Sequence, residues 1–326
     1  MTATAVVQET AAVRERAERV TLAAFLLLVG LGGLGPVFIR ILIREMPPMW
    51  AGAVRFGVAA VIVIVIVRLR GIPAPRGRAL LGTVLFGALG LGLSTALIYR
   101  GLVDTPAGVS QVILALVPLE TFIFAVVLRL ERFRWAGLAG AAIAVVGVGI
   151  VFGNEMRANV PLTGLLAILA AGFSISATTV VLKWFPASSP WSSSSVALPI
   201  GAVMFMAASL AFGESHSMPS TTAGWLSLGW LTVVGTVGLM SLFLFVISRV
   251  SASASSYQFL LMPLVTVLAS AIVAGEQISI PFAIGAAVVL LGVYVGIIRN
   301  PGRGPTAVAA NSAADGVVPF ATTRAD

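Results

Sequence analysis

Cysteine is absent from the 326 residues. That excludes a disulfide framework and a thiolate metal site. Histidine occurs once, at His216, and lysine once, at Lys183. Charge is scarce altogether: 10% of residues are charged, against about 25% in an ordinary soluble domain. Apolar residues take the vacant share, at 59% of the chain, and mean hydropathy is +1.06. A single core cannot hide that much apolar surface, so lipid must cover it.

The net charge is +8 and the isoelectric point is near 11.3. In a soluble protein this would suggest nucleic acid. Here nearly all the basic residues are arginines lying between apolar runs. They read as membrane-topology signals, and no nucleic-acid partner is expected. The basic start that opens into TLAAFLLLVG has the layout of a secretory signal. The same apolar pattern recurs along the whole chain, so it is read as a first transmembrane helix.

A helix needs about 20 apolar residues to cross the hydrocarbon. Runs of this kind fall at 20–43, 49–67, 79–99, 106–128 and 135–153, then at 162–182, 194–213, 224–248, 252–274 and 281–298. The breaks carry turn or charge signals such as EMPP, RLRGIPAPRGR and GNEMRANVP. If the N-terminus is cytoplasmic, the inner segments hold Arg14, Arg16, Arg19, Arg68, Arg70, Arg76, Arg78, Arg129, Arg132 and Arg134. The outer segments hold Arg44, Arg100 and Arg157, with Arg40 at their border. The positive-inside rule therefore puts both termini in the cytoplasm.

Residues 105–152 overlay 250–297 at a constant offset of 145 without a gap. Pro118 falls on Pro263, Thr121 on Thr266, Glu131 on Glu276, Gly140 on Gly285 and Gly147 on Gly292. An offset of 143 pairs Arg40 with Lys183 and Pro47 with Pro190. The chain therefore reads as two five-span units, 19–154 and 160–298, with cytoplasmic tails 1–18 and 300–326, the latter expected to be disordered. Five is odd, so the second unit must enter the membrane upside down. The expected fold is an all-α integral membrane protein of ten helices in two inverted repeats.

Pro118 and Pro263 stand mid-span at matched positions, where each removes a backbone donor and predicts a kink. At 100° per residue, Gln111, Pro118 and Thr121 share a face with Ser110 beside them. Their repeat partners are Ser256, Pro263, Thr266 and Ser255. These two faces are read as walls of a polar substrate cavity; the alternative is ordinary interhelical hydrogen bonding. Glu120 is the one acid deep inside a predicted span, a candidate to carry a proton or hold a substrate amine. On an ideal helix it points about 200° away from Pro118. Arg55 lies about 10 Å into the second span and is a candidate for binding a carboxylate, or a snorkelling side chain. Glu120 and Arg55 have Val265 and Leu198 opposite them, so they break the repeat. Glu131 and Glu276 suit the positive start of the following helix. GLGGLG at 30–35 lies inside a span and has no strand before it, so it is no dinucleotide loop. No Ser/His pair, aspartate pair or metal cluster appears in the sequence, which argues against an enzyme. No cofactor is expected.

This layout resembles the EamA-type members of the drug/metabolite transporter superfamily. The carrying features are the ten spans, the paired mid-helix prolines, and a hairpin Glu before a Gly-rich span: LRLERFRWAGLAGAAIAVVGVGI and VAGEQISIPFAIGAAVVLLGVYVGI. Arg40, Lys183 and Arg55 also resemble family positions. The first unit departs from the usual Gly-Glu hairpin with Leu130-Glu131, while Gly275-Glu276 keeps it. The resemblance implies a central cavity, alternating access, and export or exchange of small metabolites, commonly amino acids. The expectation is a plasma (inner) membrane exporter driven by a proton or solute gradient, since no P-loop is present. A homodimer stays open. The alternative is a non-transporting sensor or scaffold, whose helices would pack without a polar cavity.

Overall fold

The computed structural model describes residues 3–129, 133, 135–157, 160–186, 188–239, 242, 246, 258–275 and 277–295. The predicted positions Ser255, Ser256, Glu131 and Glu276 lie outside the described residues. Among the described residues the chain is helical without strands. The helices are α1 (Ala3–Leu42), α2 (Pro48–Leu69), α3 (Gly77–Leu85), α4 (Ser94–Asp104), α5 (Ala107–Leu114), α6 (Val117–Val127), α7 (Trp135–Arg157), α8 (Leu162–Val181), α9 (Pro190–Ala211), α10 (Thr222–Thr232), α11 (Gln258–Ala274) and α12 (Ile280–Val293). A π-helical segment, Phe86–Leu93, joins α3 to α4, and another, Val233–Gly238, extends α10. Seven helical stretches are long and apolar enough to cross a membrane, and shorter apolar helices lie at Leu261–Val273 and Ile280–Val293. Leucines, valines and isoleucines such as Val61, Val145, Leu210 and Ile272 stand exposed on the outer faces. Lipid is the medium that would cover them, because helices satisfy every backbone polar group internally.

Local chemistry sets the ends. Both α2 and α9 open on proline in the first turn, where the missing N–H is not needed. Both close on a glycine in the left-handed region, Gly71 (φ 62°) and Gly213 (φ 63°). After α2, Ile72 N–H donates to Val67 O (3.0 Å) and Gly71 N–H to Arg68 O (3.2 Å). After α9, Glu214 N–H donates to Ser209 O (3.0 Å) and Gly213 N–H to Leu210 O (3.1 Å). These bonds occupy carbonyls that the helix ends would otherwise strand.

The paired prolines behave differently. Pro118 interrupts its span: α5 ends at Leu114 and α6 restarts at Val117, with Pro118 in its first turn. The break is closed by Leu116 N–H donating to Ile113 O (3.0 Å) and Glu120 N–H to Leu116 O (3.0 Å). Around Pro263 the helix runs from Gln258 to Ala274 without interruption. Proline removes the same donor at both sites, so the neighbouring packing decides between a break and a continuous helix.

Packing follows the repeat. Several helix contacts come in pairs that exchange when the first and second halves of the chain are swapped. The contact of α1 with α11 corresponds to that of α8 with α6, and the contact of α4 with α8 to that of α10 with α1. The pairs α2–α9 and α7–α12 are their own counterparts. The α7–α12 seam resolves this to single residues. A Cβ on Gly147 would lie 2.9 Å from Gly285 O, and one on Gly292 would lie 2.6 Å from Gly140 O. The 145-residue overlay exchanges these two contacts. Small residues let the backbones touch, and that close approach holds helices together in lipid.

Candidate functional site

Five helices leave a cavity of about 230 Å³ between them, lined in part by Gly35, Arg55, Thr95, Ile98, Gln111 and Gly235. Along the apolar stretches, they sit toward the C-terminal ends of Arg19–Leu42 and Gly77–Asp104 and toward the N-terminal ends of Pro48–Leu69 and Ala107–Val127, with Leu231 near the end of α10 and Gly235 and Leu239 beyond it. The cavity therefore lies off centre, nearer the end of the bundle that carries the 43–47, 105–106 and 212–221 connections. Its wall is mostly apolar, with Ile39, Ile98, Leu114, Leu231 and Leu239 beside a few polar groups.

Arg55 is the charged group on that wall, and it is 8% exposed. Its Nε donates to Thr236 Oγ1 (3.1 Å), Nη1 to Tyr99 Oη (3.2 Å) and Nη2 to Gly235 O (3.3 Å). Thr236 and Gly235 belong to the second π segment. Thr236 Oγ1 in turn donates to Leu231 O (2.9 Å), one π-turn back. The guanidinium is thus clamped by neutral acceptors. Among the described residues no carboxylate pairs with it. Each terminal nitrogen keeps a second N–H beyond these bonds, because guanidinium carries five donors. The Arg55 guanidinium also lies 5.2 Å from the centre of the Phe56 ring, and a cation inside a membrane without a carboxylate partner costs a few kcal/mol.

Two loops cross-cap the helices at the cavity end. Glu45, in the α1–α2 connection, accepts from Ser220 N–H (3.1 Å), Thr221 N–H (3.0 Å) and the Thr221 hydroxyl, beside the start of α10. Glu214, in the α9–α10 connection, accepts from Met49 N–H (3.2 Å) and Trp50 N–H (2.8 Å) at the start of α2. Trp50 Nε1 also donates to Ser217 O (3.1 Å), and its ring meets His216 edge-on at 4.7 Å. Carboxylates at helix starts satisfy free N–H groups and oppose the positive helix end. The hydrogen bonds from Thr221 and Ser220 hold the Glu45 carboxyl below its ordinary pKa.

The residues singled out in the sequence are dispersed. Gln111 and Arg55 line the cavity together. Ser110 is buried and its hydroxyl donates to Pro106 O (3.1 Å) in its own helix. The Thr266 hydroxyl is buried against Gly33 O of α1 and Met262 O. Thr121 is half-buried on α6 and is not among the lining residues. A Cβ on Gly108 of α5 would already lie 3.2 Å from Val267 of α11. Arg40 donates to Thr105 O.

Glu120 is 6% exposed and faces α8, away from Arg55. The Ser176 hydroxyl lies 3.0 Å from Glu120 Oε2 and 3.1 Å from Val117 O. A Cβ on Gly172 would sit 2.9 Å from the same carboxylate oxygen. In the other half of the chain Val265, the repeat partner of Glu120, stands equally close to Gly33 of α1. Glu120 thus occupies a helix-contact position that an apolar residue fills in the second unit. The sequence reading passed over Tyr99, Thr236 and Gly235. Tyr99, an aromatic hydroxyl inside a predicted span, was the one available signal for them.

Comparison with known proteins supplies the family. The model for the EamA-like transporter family matches residues 20–153 and again 162–298. The inner membrane transporter YedA of Escherichia coli K12, itself uncharacterized, is 27% identical over 248 residues, which cover 74% of this chain and 78% of that protein. A probable terminal-alkyne amino-acid exporter of Streptantibioticus cattleyicolor is 26% identical, covering 76% and 84%. A probable amino-acid metabolite efflux pump of Salmonella typhimurium is 26% identical, covering 83% and 93%. One solved crystal structure shares the fold at a TM-score of 0.58 and 18% identity, over 85% of this chain and 99% of the other. With the apolar helices, the two family matches place this integral membrane protein in the EamA-like transporter family.

Proposed function

We propose that the chain is a secondary active exporter of small metabolites, amino acids and related carboxylates, working by alternating access in the plasma membrane. Its frame is ten helices in two inverted five-helix units, 19–154 and 160–298, with both termini cytoplasmic. Exchanged contacts such as Gly147–Gly285 and Gly292–Gly140 support that frame, because an inverted repeat relates its halves by a two-fold axis. The distribution of arginines supports the orientation. In this orientation the cavity lies nearer the outside, and Glu120 nearer the cytoplasm.

The observation that carries the reading is the Arg55 guanidinium, held in place on a cavity wall without a carboxylate partner. A substrate carboxylate would complete its charge. The relatives named for amino-acid export are consistent with such a substrate. Gln111 is the second polar contact for the substrate. Glu120 is the coupling-proton candidate. Ser176 has one O–H and two acceptors, Val117 O and Glu120 Oε2. A proton on Glu120 would release that O–H to Val117, the residue that restarts the helix broken before Pro118. The same span carries Gln111 and Leu114 on the cavity wall, so a change at the break reaches the cavity through one helix.

The test is counterflow of radiolabelled leucine in proteoliposomes holding the purified protein. Uptake above protein-free liposomes that rises with an imposed pH gradient is expected. Uptake equal to empty liposomes for leucine and a panel of small carboxylates would refute the transporter reading.

A further inference from the structure

We infer that the cavity selects its substrate by the carboxylate alone and makes no ionic contact with a substrate ammonium, so that monocarboxylates lacking an amine are carried better than the matching amino acids. The inference rests on the transporter reading and concerns its substrate class.

The argument is one of charge inventory. A zwitterion bound to Arg55 leaves its ammonium in the same apolar cavity, where neutral groups can accept its hydrogen bonds but only a carboxylate would offset its charge. Among the described residues no acid lines the cavity. Its polar side chains other than Arg55 are Thr95 and Gln111, both neutral. The sequence of residues 240–257 contains no Asp or Glu. Glu120 is the acid inside a span, and it is buried against Gly172 and Ser176 of α8. Asp104, at the end of α4, is engaged by Arg100 at 3.1 Å. Glu45 and Glu214 are engaged by the N–H groups of the cross-capping loops.

The loaded charge follows. Arg55 with a monocarboxylate is neutral. Arg55 with an amino-acid zwitterion keeps a charge of +1, and Arg55 with an amine would hold two cations in one apolar space. The leucine zwitterion is therefore accepted through its carboxylate but carries an unpaired ammonium. Its 2-keto acid carries none. The apolar lining of Ile39, Ile98, Leu114 and Leu231 suits a branched aliphatic side chain in either case.

The experiment compares three probes of one side chain on the wild-type protein: 4-methyl-2-oxopentanoate, leucine and leucinamide. Each is tested as a competitor of labelled leucine counterflow, and each is added to the detergent-purified protein during thermal unfolding. The keto acid is expected to compete about tenfold more strongly than leucine, the equivalent of one missing charge-assisted hydrogen bond. It should also raise Tm at lower concentration, and leucinamide should do neither. Leucinamide competing as well as leucine, or the keto acid failing to compete while leucine is carried, would overturn the inference and leave the transporter reading standing. Silence of every probe in both measurements would remove both. Arg55→Gln should abolish the keto acid's effect on Tm, and a persisting effect places the carboxylate elsewhere.

Discussion

Replacing Arg55 with lysine separates charge from geometry. Lysine keeps the positive charge but presents a single ammonium on a flexible stem. The guanidinium now binds Thr236, Tyr99 and Gly235 through three different nitrogens, and an ammonium cannot span them. Two consequences can be sized. Tyr99 is fully buried, and a buried hydroxyl left without its partner costs about 1–3 kcal/mol of stability. On the substrate side the fork geometry is lost. One charge-assisted hydrogen bond is worth about 1.5–3 kcal/mol, so the KM for leucine should rise about tenfold to a hundredfold. The assay is concentration-dependent counterflow in proteoliposomes, with a thermal-unfolding curve on the same preparation. Arg55→Gln should weaken transport further, because it also removes the charge. If both variants fold and keep a KM within about twofold of the wild type, the guanidinium does not touch the substrate.

Glu120→Gln should leave the fold intact and abolish the response of transport to an imposed pH gradient. Glu120→Val imitates the residue at the matched contact in the second unit, and retained pH dependence in either variant removes Glu120 from the coupling step. Gly147→Val and Gly292→Val each force a Cβ to within 2.6 Å of a backbone nitrogen on the facing helix. Both should destabilise the seam, by about 1–3 kcal/mol or more, measurable as lowered Tm in detergent, and a neutral result for either would deny the close approach. Glu45 has a depressed pKa in the folded state. Its contribution is therefore present above the ordinary carboxylate range and is lost as pH falls through the folded value. Thermal unfolding at pH 7 and pH 3 should differ less for Glu45→Gln than for the wild type, and equal differences would reject the cross-cap.

The sequence was readable where one physical rule governs many residues. Spans follow from length and apolarity, so α2 and α9 begin within a few residues of the predicted runs. Arg55 stood out because a charge inside a span is rare, and it lies on the cavity wall. A sequence is silent where several partners satisfy the same group equally well. The hydroxyls of Ser110, Thr178 and Thr232 all bond carbonyls four residues back in their own helices. A polar face drawn on a helical wheel therefore does not reveal whether it meets a cavity, a neighbour or its own backbone.

Composition, periodicity and the 145-residue echo determined that this is a membrane protein with two related units, because each is a sum over many residues that no single contact can reverse. The tertiary structure decided which helices enclose space. It put the cavity among α1, α2, α4, α5 and α10, broke the chain before Pro118 but not at Pro263, and turned Glu120 toward Ser176. Those outcomes depend on which surfaces meet, and equal residues in matched positions meet different neighbours.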